Sequence, residues 1–440
     1  ITTSSGKSIA AEIGEWKFST APSAPLVDDQ TPYTKDTDGV IRIDVSVSDG
    51  ETPFTLEDLL ADRFKDDDFD PYLRVHVSGE GFEPLLENSN GTMKLRGATS
   101  RLTTQKSFRI QLDSQENQWR GHQRINLMKS PFEVTRVRNR LSLELFEQMQ
   151  HTTSLRSQFV HLFINGEDFG LFTQVEQYDQ RFLENHGLDP NGHLYKAAFF
   201  EWARYPDNLK VKSDPSYDED LFEQRLEFKT RDDHEKLLHL LDDINNHDLD
   251  FSKLFDQYFN RENYLTWLAF NLLTSNIDTN SQNFLIYSPS DSQTWYFLPW
   301  DYDGAWGFNR QPSRLDRQSA RWQEGLSNYW NVSLHKRFMR IRENRVDLEK
   351  TMRELSTSVL AQGNIRAVLD RFQSLVESFI SRPPDLTRLP TEIRTTTEAK
   401  VAEWLGEYHR LPSEIPFNES LYSTAVERPM PIFLGNPQQQ

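Results

Sequence analysis

The sequence predicts an α+β chain in two lobes. A mostly antiparallel sheet comes first, a helix-rich body second, and a helical extension follows toward the C-terminal end. Three observations carry this prediction. Period-2 apolar runs recur between Val40 and Val175, as half-buried strands require. The stretch Asn263–Ser275 (NYLTWLAFNLLTS) is apolar on nearly every face, which reads as a helix buried on all sides. Beyond Gly307 the apolar spacing is helical in three further segments.

Each element follows from local chemistry. Residues 1–39, rich in Ser, Thr, Ala and Pro, read as an N-terminal arm with at most one strand (Glu15–Phe18). The sheet-rich lobe spans 40–180. Val40–Val47 alternates as a strand, and Thr55 caps a short helix over Thr55–Phe64. The acidic run Asp66–Asp70 reads as a solvated turn in preference to a calcium loop. Tyr72–Val77, Thr92–Leu95 and Ser107–Leu112 are strands, and Val134–Met149 is a helix. Phe159–Ile164 and Gly170–Val175 form a hairpin around Asn165-Gly166, because Asn-Gly accepts the positive φ angles of a tight turn. The helix-rich lobe spans 181–410. It carries two short strands, Asn283–Tyr287 and Thr294–Leu298, then helices near 333–356, 363–380 and 394–406. Residues 411–440, with five prolines and a Gln tail, read as an irregular wrap.

Composition narrows the function classes. Apolar residues are scarce at 36%, but 29 Phe, 14 Tyr and 10 Trp supply large side chains enough for a sizeable core. A net charge of −18 repels phosphate backbones, so nucleic acid is a poor partner; such a surface serves solubility first, and a basic protein substrate is the sharper alternative. The absence of cysteine removes disulfides, thiolate nucleophiles and Cys-type zinc sites. No apolar run is long enough to span a membrane. The small polar opening ITTSSGKS, starting at Ile1, is read as a trimmed N-terminus, including the case of signal removal. Walker A, Gly-x-Gly-x-x-Gly, Gly-x-Ser-x-Gly and HExxH patterns do not occur.

The residues that carry chemistry gather around two loops. Asp278-Thr-Asn-Ser-Gln-Asn283 follows the buried helix and precedes a strand, so its polar groups are held by rigid neighbours. Asp278 is placed to accept a proton from an attacking hydroxyl, and Asn283 to ligate magnesium or manganese through its amide oxygen. Asp301 follows the second strand and returns to the same sheet edge as Asn283, which suits a second metal ligand. Asp303 lies two residues on and is its reserve. In the sheet lobe, Arg96-Gly97 with Thr99 and Ser100 makes a small-residue turn that can cover phosphates. Lys106 at the start of a strand, or Arg109 within it, offers a cation to the α/β-phosphates of ATP. Glu144 and Glu147 are equal candidates to pair with Lys106. Val175-Glu176-Gln177-Tyr178 connects the lobes and can meet an adenine edge, and Lys196 follows it as a further cation.

The order of these parts is that of a protein-kinase-like fold, and the chain resembles the spore coat protein H (CotH) kinase family over about 90–380. The resemblance rests on Lys94-Leu-Arg-Gly-Ala-Thr-Ser100, Lys106-Ser-Phe-Arg-Ile110, Val137-Arg-Asn-Arg-Leu141 and Leu162–Gly170. It continues with Gln174-Val-Glu-Gln177, Leu194-Tyr-Lys196, Asn276–Asn283 and Phe297-Leu-Pro-Trp-Asp-Tyr-Asp-Gly304. It implies an atypical, secretory-kinase-like fold that binds ATP and magnesium and phosphorylates Ser or Thr of proteins, in an exported or surface-associated setting. It implies Asp278 as catalytic acid, Asn283 and Asp301 as metal ligands and Lys106 as the phosphate-holding lysine, with Arg96, Glu176 and Lys196 along the nucleotide. The family's phosphate-side loop reads Arg-Gly-Asn-Ser, whereas Ala98-Thr99 stand here, so that loop's contacts differ. A non-catalytic surface-binding module on the same scaffold is the alternative, and nucleotidyl transfer a third reading of the same nucleotide site.

Overall fold

The structure is a computed structural model. It describes residues 39–64, 69–82, 89–97, 99–113, 119, 122–132, 135–274, 276, 279–306, 329, 332–380 and 382–386. The N-terminal arm, the helix expected at 394–406 and the 411–440 wrap lie outside the described residues.

The first lobe is a closed barrel rather than an open sheet. Its strands are β1 (Ile41–Val47), β2 (Tyr72–Gly79), β3 (Gly91–Arg96), β4 (Ser107–Leu112), β5 (Arg124–Met128), β6 (Ser157–Ile164) and β7 (Glu167–Val175), in the order β1-β2-β3-β4-β5-β7-β6. All neighbours are antiparallel except β1 and β6, whose parallel pairing (Ile43 opposite Leu162) closes the ring. Inward residues alternate with outward ones, as the strand period requires. Ile43, Val75, Met93, Phe108, Ile110, Leu127 and Leu162 fill the interior. Helix α1 (Leu56–Ala61) starts at Thr55, whose hydroxyl and backbone N–H form a reciprocal capping box with Asp58. In the β6–β7 turn, Asn165 and Gly166 take φ of 51° and 81°, and the Asn165 side chain accepts the Val47 N–H at 2.8 Å.

Helix α2 (Arg138–Glu147) leaves the barrel and packs toward the second lobe. After α3 (Gln180–Asn185) come β8 (His193–Ala197), α4 (Glu219–Glu223), β9 (Leu226–Phe228), α5 (Glu235–Asn245), α6 (Phe251–Tyr258) and α7 (Arg261–Leu273). Strands β10 (Phe284–Ser288) and β11 (Tyr296–Pro299) complete a second sheet in the order β11-β10-β8-β9. Strands β5, β8 and β9 are absent from the sequence reading. They are short, five residues each for β5 and β8 and three for β9, too few for a periodic pattern to stand out. One face (Tyr195, Ala197, Phe284, Ile286, Phe297) packs on the helices, among them α7, in which every residue from Asn263 to Leu273 is buried. The other face (Leu194, Leu285, Tyr287, Leu298, Trp300) packs toward the barrel with Val175 and Tyr178. This second sheet is therefore the floor of a cleft whose roof is the barrel.

The chain then forms α8 (Ser333–Arg340), α9 (Arg342–Thr357), α10 (Gln362–Ile380) and α11 (Pro383–Leu386). The single helix expected over 333–356 is broken at Ile341, whose backbone is extended. Helix α11 returns to the barrel. There the buried Lys129 Nζ donates to Asp385 Oδ1 at 2.8 Å, and Leu171 N–H donates to Asp385 Oδ2 at 3.0 Å. Gly170 permits this approach, because a Cβ there would lie 2.2 Å from Asp385 Oδ2.

Candidate active site

The loop 274–283 is anchored from below by one buried amide. Asn271 on α7 accepts from Asn276 Nδ2 (3.2 Å) and Thr279 Oγ1 (3.1 Å) through Oδ1, while its Nδ2 donates to Trp267 O at 2.8 Å. Asn276 N–H also donates to Asn271 O at 2.9 Å. Asn276 and Thr279 are fully buried, so the loop is clamped on both sides of position 278. Asp278 itself lies outside the described residues. Phe200 N–H donates to Ser281 O at 2.7 Å and ties the loop to the segment after β8.

Asn283 and Asp301 occupy adjoining strand ends. Phe284 pairs with Pro299 across β10 and β11, so Asn283 precedes one member of that pair and Asp301 follows the other by two residues. Both adopt the left-handed backbone region, φ 57° for each, with ψ 71° at Asp301. Residues other than glycine enter this region at a cost, and such strain concentrates at functional sites. The following turn, Tyr302–Gly304, is held by α2. Tyr302 N–H donates to Asn139 Oδ1 at 3.0 Å, and Trp306 Nε1 donates to Ser142 Oγ at 2.8 Å. Asp303, half-buried, lies within that turn. Asn139 and Asn271 are thus scaffolding residues that sequence reading passed over, since a buried Asn in a helix carries no pattern of its own.

The roof supplies cations. On β3, Arg96 points outward, and its guanidinium lies 5.5 Å from the centre of the Trp300 ring on the floor. Its Nη1 is shielded from solvent and has no hydrogen-bond partner among the described residues. Burial pushes its pKa down to about 10, with Asp301 and Glu227 opposing the fall and Arg109 adding to it. Arg96 therefore lies within electrostatic range of both carboxylates and of the Arg109 cation. On the floor, Lys196 Nζ is 3.0 Å from Glu227 Oε1 and 5.8 Å from the Trp300 ring centre. Burial works to raise the Glu227 carboxyl, but Lys196 and Lys229 outweigh it and hold it near 2.

One expected residue lies elsewhere. Lys106 is buried at the end of the barrel, where its Nζ donates to Asp62 O (2.8 Å) and Arg101 O (2.5 Å). It borders a separate cavity of about 290 Å³ with Leu60, Ala61 and Arg63. The reason is parity: 106 shares the inward side of β4 with Phe108 and Ile110, whereas Arg109 faces outward on the same side as Arg96. The alternation was readable in Ser107–Leu112. Neither proposed partner of Lys106 reaches it by a described contact, and Glu144 pairs with Arg371 of α10. Glu176 is buried in the connector with its carboxylate enclosed. It accepts Arg156 N–H at 3.1 Å and faces His186 Nε2 at 3.0 Å and His122 Nε2 at 3.3 Å. Burial would raise its pKa, but His186 and His122 hold it well below the carboxylate range. Its side chain shapes the connector, whose backbone is the part the sequence offers to an adenine edge. Tyr178 does the same by donating to Pro299 O at 2.8 Å.

Comparison with known proteins fits this geometry. The CotH kinase protein family matches residues 93–415, which includes every residue named in the cleft. The chain belongs to the CotH kinase protein family. It is 24% identical to the inner spore coat protein H of Bacillus subtilis over 301 residues, 68% of this chain and 80% of that one. It is 26% identical over 226 residues to invasin CotH2 of Rhizopus delemar, covering 48% of this chain and 36% of the invasin. A solved structure, the Helicobacter pylori proinflammatory kinase CtkA, aligns over 79% of this chain and 94% of its own at 9% identity. Its TM-score of 0.28 is too low to argue from. Among the described residues, no helix of this CotH-family chain is long and apolar enough to cross a membrane. No group of three or more His, Asp or Glu that could hold a metal occurs among them either.

Proposed function

We propose that this CotH-family chain is a kinase that binds ATP with magnesium or manganese and phosphorylates Ser or Thr of a protein substrate. The observation that carries the reading is one juxtaposition: Asn283 and Asp301 at adjoining strand ends, with Arg96 above Trp300, the residue that precedes Asp301. A buried guanidinium nitrogen without a partner fits an anionic ligand, since leaving it unmet costs about 1–3 kcal/mol. The donors at Asn283, Asp301 and Asp303 are all oxygen, the choice of a hard divalent cation, with phosphate oxygens and water to complete its shell. These three residues would hold the ion, which when bound neutralises charge on the phosphates. Arg96 and Lys196 then orient the phosphates from roof and floor. Asp278 takes the proton as the substrate hydroxyl oxygen bonds to the γ-phosphorus and the bond from that phosphorus to the β,γ-bridging oxygen breaks. In this reading Lys106 supports the barrel, and Arg109 is the strand cation on the cleft side.

The acidic chain favours a basic, Ser-rich acceptor. The spore coat and invasin names of the relatives favour work at a surface or outside the cytosol. Incubation with γ-labelled ATP, magnesium or manganese and a basic Ser-rich protein is the test. Label transfer by the wild type and its loss in Asp301→Ala is the expected result. Equal labelling by both, or none by either, would refute the reading. The invasin name also favours a second reading, a surface-binding module without catalysis. That reading gains if Mg·ATP fails to raise the melting temperature, because a ligand bound to the folded state must stabilise it.

A further inference from the structure

The floor carries two charged residues that no sequence motif drew attention to. Strands β8 and β9 pair with Lys196 opposite Glu227, and Lys229 N–H donates to Leu194 O. Residues 194 and 196 therefore share a face with 227 and 229, and that face also carries Leu285, Leu298 and Trp300 toward the barrel. One carboxylate joins two ammonium groups there. Glu227 Oε1 meets Lys196 Nζ at 3.0 Å, and Glu227 Oε2 meets Lys229 Nζ at 2.5 Å. All three side chains remain partly exposed, at 27%, 31% and 21% for Lys196, Glu227 and Lys229. Arg96 meets this face from the barrel, its guanidinium 5.5 Å from the centre of the Trp300 ring. Lys196 and Lys229 thus share one carboxylate beside an apolar floor, with Glu223 also in electrostatic range of Lys229.

We propose that Lys229 is a second phosphate-binding cation of the nucleotide site and that Glu227 is its positioning residue. Two ammonium groups this close repel, and both carry long, flexible stems. A carboxylate between them removes the repulsion and fixes both heads at one edge of the floor. An ammonium has three donors, so each lysine keeps donors for phosphate oxygens while bonded to Glu227. This differs from the lysine–glutamate pair expected in the barrel, for Lys106 and α2. Here the pair lies wholly on the floor sheet, and the cation that completes it from the roof is Arg96. The inference rests on the nucleotide reading above and extends it to residues outside that reading.

The test measures the affinities of ATP, ADP, AMP and adenosine, with magnesium, by calorimetry on the full chain. The proteins are wild type, Glu227→Gln, Glu227→Asp and Lys229→Met. In the wild type, affinity should fall from ATP to AMP. Charge-assisted contacts to phosphate are the strong ones, so Glu227→Gln and Lys229→Met should each weaken ATP about tenfold and leave adenosine within about twofold. Glu227→Asp should recover part of the loss, which a general loosening of the sheet would not allow. If the wild type binds ATP and the ATP-to-adenosine ratio is unchanged in both Glu227→Gln and Lys229→Met, the inference is overturned and the nucleotide reading stands. If the wild type binds no ATP, the nucleotide reading falls and takes the inference with it. Should Glu227→Gln fail to fold, Lys229→Met and Glu227→Asp decide the outcome by the same ratio.

Discussion

Asp301 offers a test in which backbone and chemistry make opposite demands. Its φ of 57° and ψ of 71° are left-handed, a region that a side chain enters at a cost and glycine enters freely. Two substitutions remove the same carboxylate, Asp301→Ala and Asp301→Gly. Both lose the interactions of Asp301 with Arg96 and its other neighbours, so those contributions cancel in the comparison. What remains is backbone: Ala keeps the Cβ in an unfavourable region, and Gly does not. The difference expected is about 1 kcal/mol in favour of Gly, less a few tenths for the greater freedom of glycine in the unfolded chain. Urea denaturation of the two variants, followed by fluorescence, should place the Gly midpoint above the Ala midpoint at equal slope. Phosphate transfer should be lost equally in both. An Ala variant as stable as the Gly variant would refute the backbone argument, and transfer surviving in either would refute the assignment of Asp301 as metal ligand.

Other predictions follow from the same distances. Asn271→Ala removes the Oδ1 acceptor shared by Asn276 and Thr279, which should cost about 2 kcal/mol in thermal unfolding. It should also lower kcat at least about tenfold with a smaller change in KM for ATP, because the loop that carries Asp278 loses its anchor. Asp385→Ala leaves the buried Lys129 without its carboxylate and should destabilise by about 3–5 kcal/mol. The Lys129→Met/Asp385→Leu pair should restore most of this in a double-mutant cycle. Stability should fall as pH drops below 6.5. Burial holds His335 at about 3 and His234 at about 4, so the unfolded chain takes up these protons first, and stability is full above pH 6.5. His335→Gln should flatten the fall in melting temperature between pH 6.5 and 5.

Local signals in the sequence read true where one residue type has one physical use. Thr55 marked the start of α1, Asn165-Gly166 marked the β6–β7 turn, and the continuous apolar run marked α7. What stayed hidden was non-local. Closure of the barrel depends on β1 lying parallel to β6, more than a hundred residues away, and no local pattern encodes such a pairing. The floor strands β8 and β9 are five and three residues long, too short for alternation to show. The enclosure of the Glu176 carboxylate was hidden too, because its histidine partners, His122 and His186, come from other parts of the chain.

The case of Lys106 separates residue type from residue direction. A cation at the start of a strand satisfies a chemical requirement, but only half of a strand's positions face any one side. Phe108, Ile110 and Leu112 fill the barrel, so residues of their parity are directed inward, and Lys106 reaches carbonyl oxygens instead of a cleft. The same rule applied to the floor puts Lys196, Glu227, Lys229 and Trp300 on one face without any motif. Register therefore assigns the cations of this site more strongly than motif order does. A Lys106→Met variant should accordingly change stability while leaving the ratio of ATP to adenosine affinity intact. An Arg109→Met variant should lower that ratio, and finding the reverse would return Lys106 to the nucleotide site.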